Sequence, residues 1–478
     1  MLLFAGTIIP VQASPLLAID GKHFIDPSGA RVILRGYAIQ AKMPPFRPVS
    51  AAEDLDVIVE HGANVIRLHF SWEAAEPTEG VYDENYFSYY RQVVDWAAER
   101  NIFVIIDFHN NAFSRWAADG CGSGFPPWAV TPEVSQVQPQ PNGACNFSQA
   151  MGKAIFTDSD NYKIWKDFLS NAYGARTRFF NLLRRLASDY KNHPSVIGFD
   201  LNEPLPWNNS TNTFEYEMMA LFYEAMGTIA HNIDPTMFIF VEPFFIDHIL
   251  FNRTTPYRPL NIENMVYAPH FYEFGSLHYG YPIFFHSPSL ASIVTSQEKL
   301  NAPVLIGEWG AKMNGAQSIE DQLNLIVRDF DKYGFSATRW NYSPNWTPEE
   351  KDHFHEEDYS CFDDTRTLRE GCFPRAYVQR ISGEPTSVFL FHRGESFIFV
   401  PQNPSLSERY RLPGTYIELK WMHDPQKGET VLFVPISLLY DSTPEIITQG
   451  VSCTFDTNQI YLRCASAEAG HKRVFIRP

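Results

Sequence analysis

Short apolar runs rich in β-branched residues alternate with longer segments of helical periodicity over most of the chain. Eight runs predict strands: Val32–Leu34, Val65–Phe70, Phe103–Phe108, Val196–Leu201, Phe238–Val241, Met265–Ala268, Val304–Ile306 and Ser336–Trp340. The helical segments between them include Ala51–His61, Glu84–Arg100, Trp165–Lys191, Phe214–Ile233, Leu290–Leu300 and Ile319–Tyr333. Eight strands that alternate with helices predict an α/β fold, a (β/α)8 TIM barrel, rather than an open sheet.

Segments outside this alternation complete the predicted organisation. The Asp-Pro and Ser-Gly pairs in Ile25–Ala30 predict a hairpin turn that caps the bottom of the barrel. Residues 113–160 lack periodicity and predict a long loop after the third strand. After Pro385 the pattern changes to short alternating runs, typical of an all-β module. We therefore predict a catalytic barrel over 14–384 and a small C-terminal β-sandwich over 385–478, with a structural role for the sandwich.

The first residues and the cysteines point to secretion. The apolar run Leu2–Val11 ends near a small-residue site and predicts a signal peptide over 1–13, although no positive residues precede it, which leaves a shortened start or a buried strand open. An even cysteine count without Cys-x-x-Cys spacing favours local disulfides. The three couples are Cys121 with Cys145, Cys361 with Cys372, and Cys453 with Cys464. Sequons at Asn146, Asn208, Asn209, Asn252, Asn341 and Asn345 are compatible with a secreted protein.

Charge and composition limit the classes of partner that the chain is expected to bind. The formal net charge of -17, without a long basic run, argues against nucleic acid and anionic membrane surfaces. No later stretch has the roughly 18 to 20 uninterrupted apolar residues of a membrane span. An aromatic fraction of 15% is compatible with sugar stacking and lipid contact. No metal-ligand cluster is visible in the sequence, and we expect no metal or other cofactor.

Polar residues end or follow most of the predicted strands, where a barrel places its active site. They are Arg67, His69, Asp107, His109, Asn202, Glu203, Glu242, His270, Tyr272, Glu308 and Trp340. Charged groups at so many strand ends are costly unless they are paired or used. Two carboxylates on different strands suit glycoside hydrolysis, and a retaining enzyme needs them roughly 5 to 5.5 Å apart. Spacing alone does not select two among Glu203, Glu242 and Glu308.

Two motifs resemble glycoside hydrolase family 5 of clan A. Phe199-Asp200-Leu201-Asn202-Glu203-Pro204 is similar to the Asn-Glu-Pro signature of its fourth strand, and Ile306-Gly307-Glu308-Trp309-Gly310 to the nucleophile motif of its seventh. The resemblance implies that Glu203 is the general acid/base and Glu308 the nucleophile of a retaining enzyme. It also implies the remaining roles: Asn202 on the sugar 2-hydroxyl, Tyr272 and Arg67 supporting Glu308, Asp107, His109 and His270 lining the catalytic subsite, and Trp340 as its platform.

Within the family, further segments resemble the endoglycoceramidases. They are Trp72 to Asp83, Asp107-Phe108-His109 with Phe113-Ser114-Arg115-Trp116, Pro126-Pro127-Trp128-Ala129, Phe373-Pro374-Arg375-Ala376 and Gly383-Glu384-Pro385. The resemblance implies release of the intact glycan from the ceramide of a glycosphingolipid, by a monomer whose contact with membrane or micelle is peripheral. Lys42 resembles a glycan-contacting lysine, with a solvated surface lysine as the alternative. Asn110-Asn111 stands where the relatives usually carry Gln-Asp, so an endogalactosylceramidase-like specificity stays open.

Other functions remain open at this point. A family 5 β-glucanase or cellulase would use the same catalytic motifs, as would a glucosylceramide or steryl-glucoside hydrolase. A non-catalytic lectin or lipid carrier is disfavoured by the intact Glu203 and Glu308. A ceramide-linked substrate predicts an apolar channel beside the glycan slot. Its expected lining is aromatic: Phe274, Tyr279, Tyr281, Phe284, Phe285 and Trp346, with packing of the loops against one another as the alternative.

Overall fold

The computed structural model describes residues 17–201, 213–244, 253–273, 276, 290–313, 317–392, 396–399, 408–411 and 414–478. The strands are β1 Ala18–Asp20, β2 His23–Ile25, β3 Arg31–Val32, β4 Arg35–Ile39, β5 Val65–His69, β6 Phe103–Asp107, β7 Val196–Asp200, β8 Phe238–Val241, β9 Met265–Tyr267, β10 Leu305–Ile306, β11 Ser336–Tyr342, β12 Tyr377–Ile381, β13 Gly383–Phe391, β14 Ser396–Phe399, β15 Glu408–Arg411, β16 Tyr416–His423, β17 Thr430–Phe433, β18 Glu445–Gln449, β19 Ser452–Phe455, β20 Tyr461–Ala465 and β21 Gly470–Arg477.

Eight parallel strands form a barrel. Their hydrogen-bonding order is β10-β11-β4-β5-β6-β7-β8-β9. Parallel bridges from Tyr267 to Val304 and from Phe271 to Trp309 join the segments of β9 and β10, which closes the ring. At Gly36 on β4 a side chain is impossible, because a Cβ would come within 1.7 Å of the Val65 carbonyl oxygen. The predicted fold class, a (β/α)8 barrel, is confirmed.

Helices follow the barrel strands along the chain. They are α1 Glu53–Glu60, α2 Trp72–Ala75, α3 Glu84–Glu99, α4 Phe147–Phe156, α5 Ser159–Ser170, α6 Ala175–Asp189, α7 Thr213–His231, α8 Ala291–Leu300 and α9 Gln317–Tyr333. The short α10 Ile436–Leu439 lies between β17 and β18 of the antiparallel sheets. The helical segment predicted over 165–191 is divided between two helices, because Asn171 ends α5 at a φ of 60° and α6 begins after Gly174. The predicted loop over 113–160 also contains α4. No described helix is long and apolar enough to cross a membrane.

The first barrel strand was predicted one segment too early. The apolar run Val32–Leu34 does not form that strand; β3 pairs with β2 and β12, and β4 follows it. Leu34 instead joins Phe24, Phe238 and other residues in an apolar cluster at the amino ends of the barrel strands. The run is apolar because it packs under the barrel, so its composition resembles that of a buried strand. The predicted turn is confirmed: Asp26 accepts hydrogen bonds from the backbone of Ser28 and Ala30.

Antiparallel sheets follow the barrel, as predicted. One sheet has the order β1-β2-β3-β12-β17-β20-β19, so the N-terminal hairpin belongs to the same sheet as four C-terminal strands. A second sheet has the order β13-β16-β21-β18, and β14 pairs with β15. Apolar residues from both larger sheets, including Ile417, Trp421 and Leu432, form a separate core. The predicted boundary between residues 384 and 385 falls within β13.

Two of the three cysteine couples are disulfides. Cys121 bonds Cys145 in the loop after β6, and Cys453 bonds Cys464 between β19 and β20. The expected bond between Cys361 and Cys372 is absent, because both are free thiols. The Cys372 Sγ lies 3.4 Å from the Met313 Sδ instead. For Cys361 and Cys372, closeness in sequence therefore did not predict a disulfide.

Candidate active site

One arginine joins four carboxylates at the carboxyl ends of the barrel strands. Arg67 of β5 is fully buried. Its Nε donates to Asp200 at 2.8 Å, and its Nη1 donates to Glu308 at 2.9 Å. Its Nη2 donates to Asp107 at 3.1 Å and to Glu242 at 3.0 Å. Arg67 therefore cross-links acidic groups that come from β6, β7, β8 and the segment after β10.

Burial and mutual charge interactions shift the pKa values of groups in this network. Burial raises the pKa of Asp200 well above its ordinary value, and the charge of Glu242 adds to this effect. Burial also raises the pKa of Asp107, although Arg67 opposes the shift. Burial alone would lower the pKa of Arg67, but the four carboxylates raise it, so the guanidinium stays charged. The raised pKa values favour the protonated forms of Asp107 and Asp200, which reduces the negative charge that Arg67 must balance.

Both carboxylate oxygens of Glu308 are held by donors. Oε1 accepts from Arg67 at 2.9 Å, and Oε2 accepts from the Tyr272 hydroxyl at 2.9 Å. The His270 Nδ1 lies 3.5 Å from Oε2, and the His270 Nε2 lies 3.1 Å from Glu242. Donors therefore contact the carboxyl group of Glu308 from two sides. They also fix its orientation, as a nucleophile requires.

His109 and Trp340 form a flat wall beside Glu308. Their rings stack at a centroid distance of 5.2 Å and an interplanar angle of 12°. The His109 Nδ1 lies 2.9 Å from Asp107 Oδ2. Burial and the charge of Lys42 lower the pKa of His109 well below its ordinary value, so the imidazole is neutral and Nδ1–H donates to Asp107. A neutral imidazole beside an indole provides the apolar surface on which a sugar ring can stack.

Lys42 is part of this wall. Only 2% of Lys42 is exposed, so the alternative of a solvated surface lysine is wrong. Its Nζ donates to Glu357 Oε1 at 2.6 Å. The same ammonium lies 4.4 Å from the centroid of the Trp340 ring and 4.7 Å from that of Phe354. The ion pair and the two rings hold the cation next to the predicted sugar platform.

Sequence reasoning missed the acidic residues of the loop after β11. Burial raises the pKa of Glu357 to about 7, although Lys42 opposes the shift. Burial raises the pKa of Asp352 to about 6. Asp200 was also missed as a partner of Arg67, although it lies in the motif that carries Glu203. The acidic run Glu356-Glu357-Asp358 was the one available signal for this loop, and such runs are common on solvated surfaces.

Comparison with known proteins identifies the family. A family model described as cellulase, glycosyl hydrolase family 5, matches residues 25–346. This chain belongs to glycosyl hydrolase family 5. Endoglycoceramidase I of Rhodococcus hoagii (strain 103S) is 27% identical over 330 residues, which are 63% of this chain and 64% of the relative. The chain thus matches less than two thirds of the length of that curated relative.

Solved structures share the fold over almost the whole length of this chain. Endo-glycoceramidase II from Rhodococcus sp. superposes with a TM-score of 0.71 and 19% identity, over 96% of this chain and 100% of the other. Sterylglucosidase 1 of Cryptococcus neoformans superposes with a TM-score of 0.74 and 14% identity, over 97% of each chain. These likenesses extend through the antiparallel sheets and show a common fold.

Several of the predicted site residues lie outside the described part of the chain. They are Asn202 and Glu203 of the fourth-strand motif and the channel residues Phe274, Tyr279, Tyr281, Phe284 and Phe285. Trp346 is described and only 7% exposed. Its Nε1 donates to Asp358 at 3.0 Å, and Arg369 covers its ring at 4.2 Å. Trp346 therefore packs within its loop, which is the alternative to a channel role.

The described residues contain no group of His, Cys, Asp and Glu side chains arranged to hold a metal ion. The described polar side chains of the network are instead bound to one another across the barrel. Arg67, Asp107, Glu242, His270, Tyr272 and Glu308 all lie in one connected set of hydrogen bonds. Such an arrangement can hold one carboxyl group in a fixed orientation beside a stacking surface.

Proposed function

We propose that this protein is a retaining endo-β-glycosidase that releases the intact glycan from the ceramide of glycosphingolipids. The observation that carries the proposal is the Glu308 carboxylate, held by Arg67 and Tyr272 beside the His109–Trp340 wall. Similarity to an endoglycoceramidase over 330 residues supports the choice of substrate. The glycolipid is the proposed partner, the protein acts as a monomer, and contact with a membrane or micelle is peripheral.

In the first step Glu308 attacks the anomeric carbon of the sugar next to ceramide. The bond between that carbon and the ceramide oxygen breaks, and Glu203 donates a proton to the oxygen. In the second step water attacks the anomeric carbon of the glycosyl-enzyme, the bond between that carbon and the Glu308 oxygen breaks, and Glu203 takes the proton from the water. The two steps together restore the starting carboxyl groups. Asn202 is proposed to bind the 2-hydroxyl, and Asp107, His270, Lys42 and Trp340 to contact the sugar.

The proposed site also accounts for the support of the nucleophile. Arg67 places its positive charge next to Glu308 before the attack, and the Tyr272 hydroxyl donates a hydrogen bond to Glu308 Oε2. The pair of Lys42 and Glu357 lies on the Trp340 side and offers an ammonium to sugar hydroxyls. We further propose that the chain is secreted, with residues 1–13 as its signal peptide. Recovery of the mature protein from culture medium, with a start after residue 13, tests this.

The decisive experiment is incubation with a panel of glycosphingolipids in micelles. We expect free ceramide and an intact oligosaccharide as products, identified by mass spectrometry. The panel includes glycolipids with glucose and with galactose next to ceramide. Asn110-Asn111 stands where the relatives carry Gln-Asp, so the measurement decides which of the two sugars the enzyme accepts there. Release of single sugars from glucosylceramide or a steryl glucoside alone, or activity on soluble β-glucans alone, contradicts the proposal. Binding without turnover supports a carrier.

The assignment of Glu203 has its own test. Glu203→Ala should strongly reduce turnover of glycolipids, whose alcohol leaving group needs a proton, and should spare the first step on an activated aryl glycoside. Pre-steady-state release of the aryl group measures that step directly. Equal losses on the two substrates would remove Glu203 from the role of acid, and Glu242 would be the next candidate.

A further inference from the structure

A small cavity lies against the outer surface of the barrel. Its volume is about 80 Å³, and one water molecule needs about 10 to 15 Å³ of such a cavity, so a group of several atoms fits. Arg35 of β4 and Arg339 of β11 line it from the barrel. Phe373 and Arg375 line it from the segment that leads to β12. We call this cavity the arginine cavity.

Strand geometry directs both barrel arginines away from the barrel interior. Trp340 stacks on His109 in the catalytic site. Successive side chains of a strand point to opposite faces, so the neighbouring Arg339 points outward. In the register of β11 and β4, Arg35 pairs with Ala337, which lies two positions before Arg339 on the same face. The two arginines therefore share the outer face, and the strands separate them from the catalytic network.

Arg339 is a buried cation whose donors lack acceptors. Only 5% of the residue is exposed. Its Nε and Nη2 donate to no acceptor among the described residues. Its guanidinium lies 5.2 Å from the Trp309 ring centroid and 5.8 Å from that of Phe373, and such rings attract a cation without accepting its hydrogen bonds at these distances. A guanidinium does not deprotonate in a protein, so its burial with unused donors costs stability.

The groups around Arg339 do not neutralise it. Burial acts to lower its pKa, whereas four neighbouring groups raise it: Cys361, Cys372, Tyr37 and Glu320. None of the carboxylates in the described ranges, Glu320 included, forms an ion pair with Arg339. The Cys372 thiol donates to the Met313 Sδ at 3.4 Å. The guanidinium therefore stays charged, and the described side chains supply no counterion in contact with it.

Arg35 adds another donor, and one carboxylate serves two arginines of the lining. Asp331 of α9 accepts from the Arg35 Nη2 at 3.0 Å and from the Arg375 Nη2 at 3.2 Å. The Arg35 Nη1 donates to the Phe335 carbonyl, whereas its Nε donates to no acceptor in the part of the chain that the structure describes. The arginines of the cavity thus outnumber the carboxylate that pairs with them. The cavity is positively charged, and the unused groups that line it are donors.

We propose that the arginine cavity binds a tetrahedral oxyanion, inorganic phosphate or sulfate, between Arg35 and Arg339. The oxygens of such an ion accept hydrogen bonds, and the planar fork of a guanidinium matches two of them at once. The bound ion joins β4 and β11 to the segment of Phe373 and Arg375, which leads into the antiparallel sheets. It therefore stabilises the junction between the barrel and these sheets. This inference does not depend on the proposed function.

The test measures binding of sodium phosphate and of sodium sulfate by calorimetry and by thermal unfolding, with sodium chloride at equal ionic strength as the reference. Wild type should bind an oxyanion, and its Tm should rise by about 1 to 3 °C at a concentration of about ten times Kd. A response to one ion alone identifies which of the two the cavity takes. Arg339→Met should bind at least about tenfold more weakly. Arg184→Met, which removes an exposed cation on α6, serves as the control and should respond like wild type.

No binding of either oxyanion to wild type, or equal affinities of wild type and Arg339→Met, would overturn the proposal. If Arg339→Met does not fold, Arg339→Lys takes its place, because it keeps the charge and loses the planar fork. Its affinity should fall at least about threefold, and an unchanged affinity overturns the proposal. Crystals grown with selenate, a tetrahedral oxyanion, should show anomalous density between Arg35 and Arg339. Selenate density only at other places overturns the assignment of the cavity.

Discussion

The two ends of the barrel interior have opposite chemistry although the same strands build both. On β6, Phe103 and Ile105 lie in the apolar cluster of the floor, and Asp107 lies in the charged network at the rim. On β5, Val65 belongs to the floor and Arg67 to the rim. Side chains two positions apart on a strand share a face. The next residue on the interior face is therefore charged, whereas the residue before it is apolar.

The same change occurs on the opposite side of the barrel. Phe238 and Phe240 of β8 precede Glu242, and Val266 and Ala268 precede His270. Burial of apolar groups in the floor stabilises the fold, whereas burial of ionised groups at the rim costs stability unless they are paired. The rim is therefore built for chemistry, and burial of the apolar floor offsets the cost in stability of the charged rim. Changes at the two ends should therefore have different signatures.

The largest effect is expected from Glu308→Gln at the rim. A neutral amide cannot form the covalent glycosyl-enzyme, so kcat should fall on the order of 10⁴-fold or more. Thermal unfolding should show that the variant stays folded, because Arg67 and Tyr272 keep an oxygen acceptor. Turnover is measured with both an aryl glycoside and a glycolipid. Near-wild-type activity would transfer the role of nucleophile to Glu242.

Arg67→Met should cause the largest loss of stability. The change leaves four carboxylates without their cation, and removing one partner of a buried ion pair costs about 3 to 5 kcal/mol. Arg67 opposes the raised pKa values of Asp107 and Asp200, so its loss raises both of these pKa values further in the folded state. The free-energy loss should consequently be greater at pH 7 than at pH 5, where these groups take up protons more easily. Urea unfolding at both pH values measures it, and a loss independent of pH would contradict the charge-balance interpretation.

Glu357→Gln should change how stability depends on pH. Burial raises the pKa of Glu357 to about 7, above its ordinary value of 4.5. A raised folded-state pKa stabilises the protein below pH 4.5, and this contribution is lost as the pH rises through 7. Wild type should therefore lose up to about 3 kcal/mol more than Glu357→Gln between pH 4.5 and pH 8. Urea unfolding across that range tests this.

Glu356→Gln is the matched control for that series, because Glu356 is the exposed neighbour of Glu357. Its stability profile should follow that of wild type. Asp352 and His355 titrate in all three proteins, so their contributions cancel in the comparison. Parallel profiles for wild type and Glu357→Gln would show that the carboxyl group of Glu357 has an ordinary pKa.

Ile105→Val in the floor should have the smallest effect. Loss of one methylene group from a packed interior costs about 0.5 to 1.5 kcal/mol. Ile105 pairs in register with Arg67, but the change removes neither a charge nor a hydrogen-bonding group, so the loss should be equal at pH 5 and pH 7, and kcat should stay within about twofold of wild type. Unfolding and kinetics on one preparation measure both. A large fall in kcat at full occupancy of the folded state would show that floor packing positions the rim.

Much of the fold and of the candidate site could be predicted because its signals are local. The strand and helix periods predicted the barrel, and polar residues at strand ends marked Arg67, Asp107, Glu242 and Glu308. The first strand was misplaced because Leu34 is as apolar as a strand residue while it packs under the barrel. Glu357 and Asp352 were missed because a loop gives no periodic signal.

Local patterns in the chain are enough to predict the barrel, the all-β module and the ring of polar strand ends, since side-chain periods of two and 3.6 residues follow from backbone geometry. Which groups meet depends on the tertiary structure. It placed four carboxylates around Arg67, paired Lys42 with Glu357 across 315 positions of sequence, and left Cys361 and Cys372 as thiols. Contacts of this kind depend on closure of the barrel and on the paths of its loops, which leave no pattern in neighbouring residues.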